Sequence, residues 1–222
     1  MATWLVIAAE RREFDGIVKR AGEGKKLNWP AEFAREVEWK GDCWRLIANG
    51  PGTGLVEKAL SNRMEVSGIV STGFCGALDP SLRVGDIAID SGASLPRKYR
   101  ASDRVVKMLS ADRVAATSAE KLALREKTGA GAVEMEAAAV ARKAAAWGIP
   151  FYSIRAVSDT AAEDLPLDFN RYRDAEGRFS RSRIALAALA RPVTAIPALL
   201  RLNRHCQMAA ESLGDFFADC QL

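Results

Sequence analysis

Residues 133 to 161, VEMEAAAVARKAAAWGIPFYSIRAVSDTA, carry a helix, its stop signal and a buried strand in unbroken succession. Alanine, the strongest helix former, fills positions 137, 138, 139, 141, 144, 145 and 146 behind Glu136. Gly148 and then Pro150 end the helix, the usual pairing of a left-handed glycine with a residue that cannot continue it. Phe151, Ile154, Ala156 and Val157 make a mostly apolar run of strand length that closes in Ser158-Asp159. Such a succession belongs to an α/β sheet, and ligands of open α/β sheets sit outside the carboxyl ends of strands. Asp159 is therefore placed for chemistry.

A chain of 222 residues with 49% apolar content fits one domain over 1–222, with an extended helical tail from about 180 to 222. Its net charge of +4 is spread along the sequence, too mild to argue for nucleic acid. Cys43, Cys75, Cys206 and Cys220 show neither CxxC spacing nor a disulfide framework, and a reducing cytoplasm is the expected setting. The apolar run from Trp4 to Ala9 is too short for a signal-peptide core, and no stretch reaches membrane-spanning length.

Residues 3–9 read as a central strand, and Glu10 to Glu13 start a helix that buries Phe14, Ile17 and Val18. A hairpin is expected over 36–49 about Lys40-Gly41-Asp42. Gly50 to Gly54 precede a helix over 55–65 whose amides could face an anion or a sugar, although the loop has neither a P-loop lysine nor the dinucleotide spacing. A strand over 66–72 leads into Gly73-Phe74-Cys75-Gly76, where the glycines let a ligand approach the main chain. Further on, 113–117 reads as a brief strand and 118–127 as a helix capped by Thr117 or Ser118 and ended near Gly129. The tail is first basic and then amphipathic, with two or three helices broken by proline. His205, the only histidine, has no metal-ligand company.

Met135-Glu136 at a helix start, Arg155-x-x-Ser158-Asp159 at a strand end, Thr72-Gly73 with Gly76 after another strand, and Val84-Gly85-Asp86 together resemble the nucleoside phosphorylase and nucleosidase superfamily. The likeness is to the nucleosidases that cleave methylthioadenosine and adenosylhomocysteine. It implies an α/β three-layer sandwich with a central twisted mixed sheet flanked by helices, no metal or organic cofactor, and a homodimer. By the same resemblance Glu13 activates the attacking water. Phe74, Cys75 and Gly76 lie beside base and ribose, and Phe169 closes the pocket. The segment over 91–131 is shorter than in those nucleosidases and has no equivalent of their purine-stacking aromatic. Phosphorylases of the superfamily hold phosphate with an arginine where this chain has Ser71, so water is the favoured nucleophile.

A glycosidic bond to a base breaks through an oxocarbenium-like sugar, which calls for a group that meets the departing base and another that presents a nucleophile. Asp159 is assigned to protonating, or hydrogen-bonding to, the purine imidazole nitrogen, for which it must be protonated or share a proton, and burial at a strand end can raise its pKa enough. Glu13 takes a proton from water. Glu136, an acceptor for two hydroxyls, holds the ribose, while Met135 packs on the sugar, Ser158 joins the binding set and Arg155 holds the carboxylates in place. The expected activity is hydrolysis of an adenosine derivative to release adenine, with methylthioadenosine, adenosylhomocysteine or adenosylhopane as substrate. A phosphate-dependent phosphorylase and a non-catalytic nucleoside-binding module are the alternatives. Arginines beside Ile196, Leu199, Leu200 and Leu202 add a possible contact of the tail with a membrane surface.

Overall fold

A computed structural model describes residues 1–222. In chain order the elements are β1 (Thr3–Ala8), α1 (Asp15–Ala21), β2 (Lys25–Lys26), β3 (Phe33–Trp39), β4 (Asp42–Ala48), α2 (Thr53–Ala59), β5 (Gly68–Ala77) and β6 (Ile87–Asp90). There follow β7 (Arg104–Val106), β8 (Met108–Ser110), α3 (Ser118–Thr128), β9 (Ala132–Glu134), α4 (Ala137–Trp147), β10 (Phe151–Asp159), α5 (Arg181–Leu189) and α6 (Pro192–Asp219). The main path of the sheet is β2-β3-β4-β1-β5-β10-β6-β7. Neighbours among β4, β1, β5 and β10 run parallel, while β6 is antiparallel to β10, so the sheet is mixed.

Alternation along β1 explains the layers. Trp4, Val6 and Ala8 face α1 and α6, whereas Leu5 and Ile7 face α2 and α4. Both faces are covered, which is why the central strands read as continuous apolar runs. On one side Leu213, Phe216 and Phe217 of α6 are fully buried, each contributing about 1.5–3 kcal/mol of apolar burial. There α6 approaches α1 so closely that a Cβ on Gly16 would stand 1.9 Å from the Ala210 carbonyl oxygen. On the other side the small faces of α4, Ala139 and Ala144, let that helix lie against Ile69 and Val56.

Several elements differ from their sequence expectation. β5 runs on through Gly73 to Ala77 because β10 and then β9 supply ladder partners for those residues. Residues 113–117 are not a strand, since the Asn170 side chain takes both backbone groups of Val114 and Glu120 takes the amide of Ala116. The strand of that region is β8, parallel to β9. The helix expected over 55–65 ends at Ala59, ahead of Ser61-Asn62, whose side chains compete for the backbone. Pro197 lies inside α6 without breaking it; it is exposed and stands within two turns of the N-terminus, where only one ladder bond is lost. The capped helix over 118–127 is α3, with a capping box between Thr117 and Glu120 and a left-handed Gly129. All four cysteines are free and buried, and no helix is long and apolar enough to cross a membrane.

Candidate active site

A cavity of about 670 Å³ opens at the carboxyl ends of β1, β5 and β10, and Glu13, Glu136 and Asp159 all line it. These three carboxylates come from segments far apart in the chain, and each is more than nine-tenths buried. Phe74, Cys75, Gly76, Met135, Ser158 and Phe169 also line the cavity. Arg155 does not. It is fully buried behind the carboxylates.

Arg155 organises the floor. One guanidinium nitrogen, Nη2, donates to Glu134 Oε2 at 2.7 Å and to Ser71 Oγ at 2.7 Å. The other, Nη1, donates to the Thr72 carbonyl at 2.6 Å and stands 3.3 Å from Glu136 Oε2. Glu136 is held from the opposite side by the Gly52 amide at 2.9 Å. The amide expected to face a ligand anion therefore binds a protein carboxylate. Burial pushes the Glu136 carboxyl up, helped by Glu134 and Glu13 and opposed by Arg155.

Glu134 has a different task from its neighbour. It accepts from the amides of Glu136 at 2.8 Å and Ala137 at 2.7 Å, and from Ser110 Oγ. It thus satisfies donors at the start of α4. Glu136, which the sequence suggests as the opening carboxylate of that helix, makes no such cap and is left to face the cavity. Nothing in the alternating Glu-Met-Glu pattern separates these roles.

Glu13 sits in the short 3₁₀ turn Arg11–Phe14 that leads into α1. Its Oε1 accepts from the Phe74 amide at 2.7 Å and its Oε2 from the Glu10 amide at 2.8 Å. Burial raises its carboxyl, against the pull of Arg155 and the two amides. The approach needs Gly73, whose φ is +123° and whose added Cβ would lie 2.5 Å from Glu13 Oε1. Arg12, half-exposed at the rim, pairs with Glu10 at 2.6 Å and lies 5.8 Å over the Phe74 ring.

Asp159 and Ser158 are sequence neighbours at the end of a strand, where alternation would send them to opposite faces. Both line the cavity, because the register against β5 slips by one residue between Val157 and Asp159. A bulge of this kind re-aims a side chain. Ser158 Oγ donates to Asp159 Oδ1 at 2.7 Å, and Lys121 Nζ stands 2.6 Å from Oδ2. Asp159 thus lies in an ion pair with a fully buried lysine. Lys121 is not legible as a site residue, because its helix reads as an ordinary charged surface.

The far side of the cavity is apolar, with Leu165, Phe179, Ile184, Leu199 and Leu202 alongside Phe169. Phe169 and Phe179 meet edge to face with centroids 6.0 Å apart. Phe179 supplies a second aromatic wall that the basic run around it conceals.

The family model described as the phosphorylase superfamily matches residues 97–193. The 5'-methylthioadenosine/S-adenosylhomocysteine nucleosidase of Geobacillus kaustophilus is 28% identical over an alignment covering 50% of this chain and 63% of the relative. For the nucleosidase of the same description from Mycobacterium tuberculosis the figures are 29%, 57% and 73%. The chain thus spans about two thirds of the length of the curated relatives it matches. Among solved structures, the nucleosidase of Neisseria meningitidis in complex with methylthio-immucillin-A superposes with a TM-score of 0.67 at 20% identity, over 98% of this chain and 99% of that one. Futalosine hydrolase of Helicobacter pylori gives 0.67 at 15%, over 97% and 95%. At such identities the superpositions speak for the fold alone.

Proposed function

We propose that the chain is a member of the phosphorylase superfamily and acts as a purine nucleosidase, hydrolysing the N-glycosidic bond of an adenosine derivative to release adenine. The observation that carries this reading is the convergence of Glu13, Glu136 and Asp159 on one cavity. Glu136 Oε1 accepts from the Gly52 amide and Oε2 lies 3.3 Å from Arg155 Nη1, which leaves lone pairs enough to accept two ribose hydroxyls. The same negative charge favours the cation that grows on the sugar. Glu13, raised by burial and fixed by two amides, takes a proton from water as the water attacks C1′. Asp159 meets the departing base.

The placement of the cations beneath the sugar site favours water over phosphate. Beneath the cavity a single guanidinium is shared among Glu13, Glu134 and Glu136, and Ser71 stands where a phosphate-holding arginine would be.

The apolar far wall supports a substrate with a bulky apolar 5′ substituent, adenosylhopane among the candidates. Between Gly177 and Ala210 the chain has six arginines and no carboxylate. Leu186, Leu189, Val193 and Leu200 in that stretch are all more than half exposed. This combination suits the surface of an anionic bilayer, from which an apolar substrate could enter beside Ile184 and Leu199.

Base release from adenosine, methylthioadenosine and an adenosine with a long alkyl 5′ substituent, each with and without phosphate, tests the proposal. Phosphate-independent release of adenine is expected. Strict dependence on phosphate would make the protein a phosphorylase, and no release from any of the three would favour a nucleoside-binding module. Light scattering of the same samples reads the homodimer implied by the resemblance.

A further inference from the structure

Lysine is almost never fully buried unless its charge is matched, yet Lys121 of α3 has no exposed surface. Its three donors are all directed. Besides Asp159 Oδ2 at 2.6 Å, Nζ reaches the carbonyls of Thr160 at 2.7 Å and Glu163 at 2.9 Å. A residue needed only to fill space here could be apolar and would avoid the desolvation of an ammonium.

The arrangement poses a question of proton supply. A purine leaves as an anion unless its imidazole nitrogen is protonated, and Asp159 is the carboxylate placed to meet it. Both Asp159 oxygens already accept, one from Ser158 and one from Lys121, so the ion pair as it stands has no carboxyl proton to give. The ammonium in contact with it does.

We propose that Lys121 is the positioning residue that holds the leaving-group proton and delivers it through Asp159. This rests on the nucleosidase reading. As the C1′–N bond breaks and its electron pair moves onto the base, the Nζ–H bond of Lys121 breaks and an O–H bond forms on Asp159. The carboxyl then passes its proton to the imidazole nitrogen and returns to carboxylate. Lys121 ends as a neutral amine, whose two remaining N–H groups continue to serve the Thr160 and Glu163 carbonyls. It recovers a proton from solvent after the base departs, while Glu13 gives to solvent the proton it took from water. The overall reaction consumes only water.

The test compares two leaving groups on the same ribose with the same 5′ substituent: adenine, which needs the proton, and 4-nitrophenolate, which departs without one. In Lys121→Met, adenine release is expected to fall by about 10²–10⁴-fold, the range of general acid–base assistance, while nitrophenolate release stays within about threefold of wild type. Lys121→Arg guards against a folding defect. It keeps a cation beside Asp159, but a guanidinium does not give up its proton, so it should retain the wild-type circular dichroism and melting yet still fail on adenine only. Equal losses on both leaving groups in the folded Arg variant, or restoration of adenine release by arginine, would overturn the relay and leave the nucleosidase reading standing. A wild-type protein that releases nitrophenolate but no purine would overturn both.

Discussion

Beneath the floor of the cavity, Arg155, Glu134 and Glu136 are buried and tied to one another across β5, β10 and the start of α4, whereas the opposite wall is a two-helix hairpin with arginines and leucines turned outward. The bonds from Phe74 to Glu13, from Gly52 to Glu136 and from Arg155 to Ser71 join residues 61 to 84 positions apart, so these groups are held by the sheet itself. The wall belongs to the last segment of the chain and touches the site mainly through apolar side chains. On the proposed nucleosidase reading, chemistry is fixed by charge networks in the sheet, and substrate range by a surface that can change without disturbing them.

The largest effect should come from breaking the floor. Arg155→Met leaves buried carboxylates without their shared cation and is expected to lower stability by about 3–5 kcal/mol in urea unfolding, with activity lost. Next come substitutions that keep the fold. Glu13→Gln and Asp159→Asn should each reduce turnover by about 10²–10⁴-fold with unchanged circular dichroism, and a full-rate variant at either position removes that residue from the mechanism. Because burial raises the Glu13 carboxyl, its base form is lost as pH falls through that raised value. The acid limb of kcat/KM should therefore lie above the ordinary glutamate range, and Glu13→Gln should leave only the part contributed by Glu136, whose carboxyl burial raises to about 7.

Gly73→Ala sharpens the same side of the comparison on a smaller scale. The positive φ and the closeness of Glu13 Oε1 make alanine strained there, with a stability loss of at least about 1 kcal/mol and displacement of the base. The smallest folding effect belongs to the wall. Leu200→Asp with Arg201→Glu, both exposed, should change stability by no more than about 0.5 kcal/mol and leave turnover of small nucleosides unaltered. Sedimentation with anionic vesicles should lose this variant and retain wild type. Equal binding of both forms, or of neither, would remove the membrane contact.

The two regions also differ in how far they can be read from sequence. β1, β10, the stop of α4 at Gly148 and the capping box of α3 follow from local pattern. The positions of Glu13, Glu136 and Asp159 follow from a resemblance in spacing. Glu134 and Lys121 do not, because their roles depend on partners elsewhere: Lys121 bonds to carbonyls 39 and 42 residues on, in a segment that has no regular structure. The bulge at Ser158 is likewise invisible in period-two alternation, because it arises from pairing with β5. On the wall, proline in α6 reads as a break only until the exposure of Pro197 is known.

The most direct test is a single turnover of a purine nucleoside in water enriched in oxygen-18, with phosphate present. Attack by water assisted by Glu13 should leave one labelled oxygen on the anomeric carbon of the released sugar, at a rate indifferent to phosphate. A sugar 1-phosphate without the label would contradict hydrolysis outright.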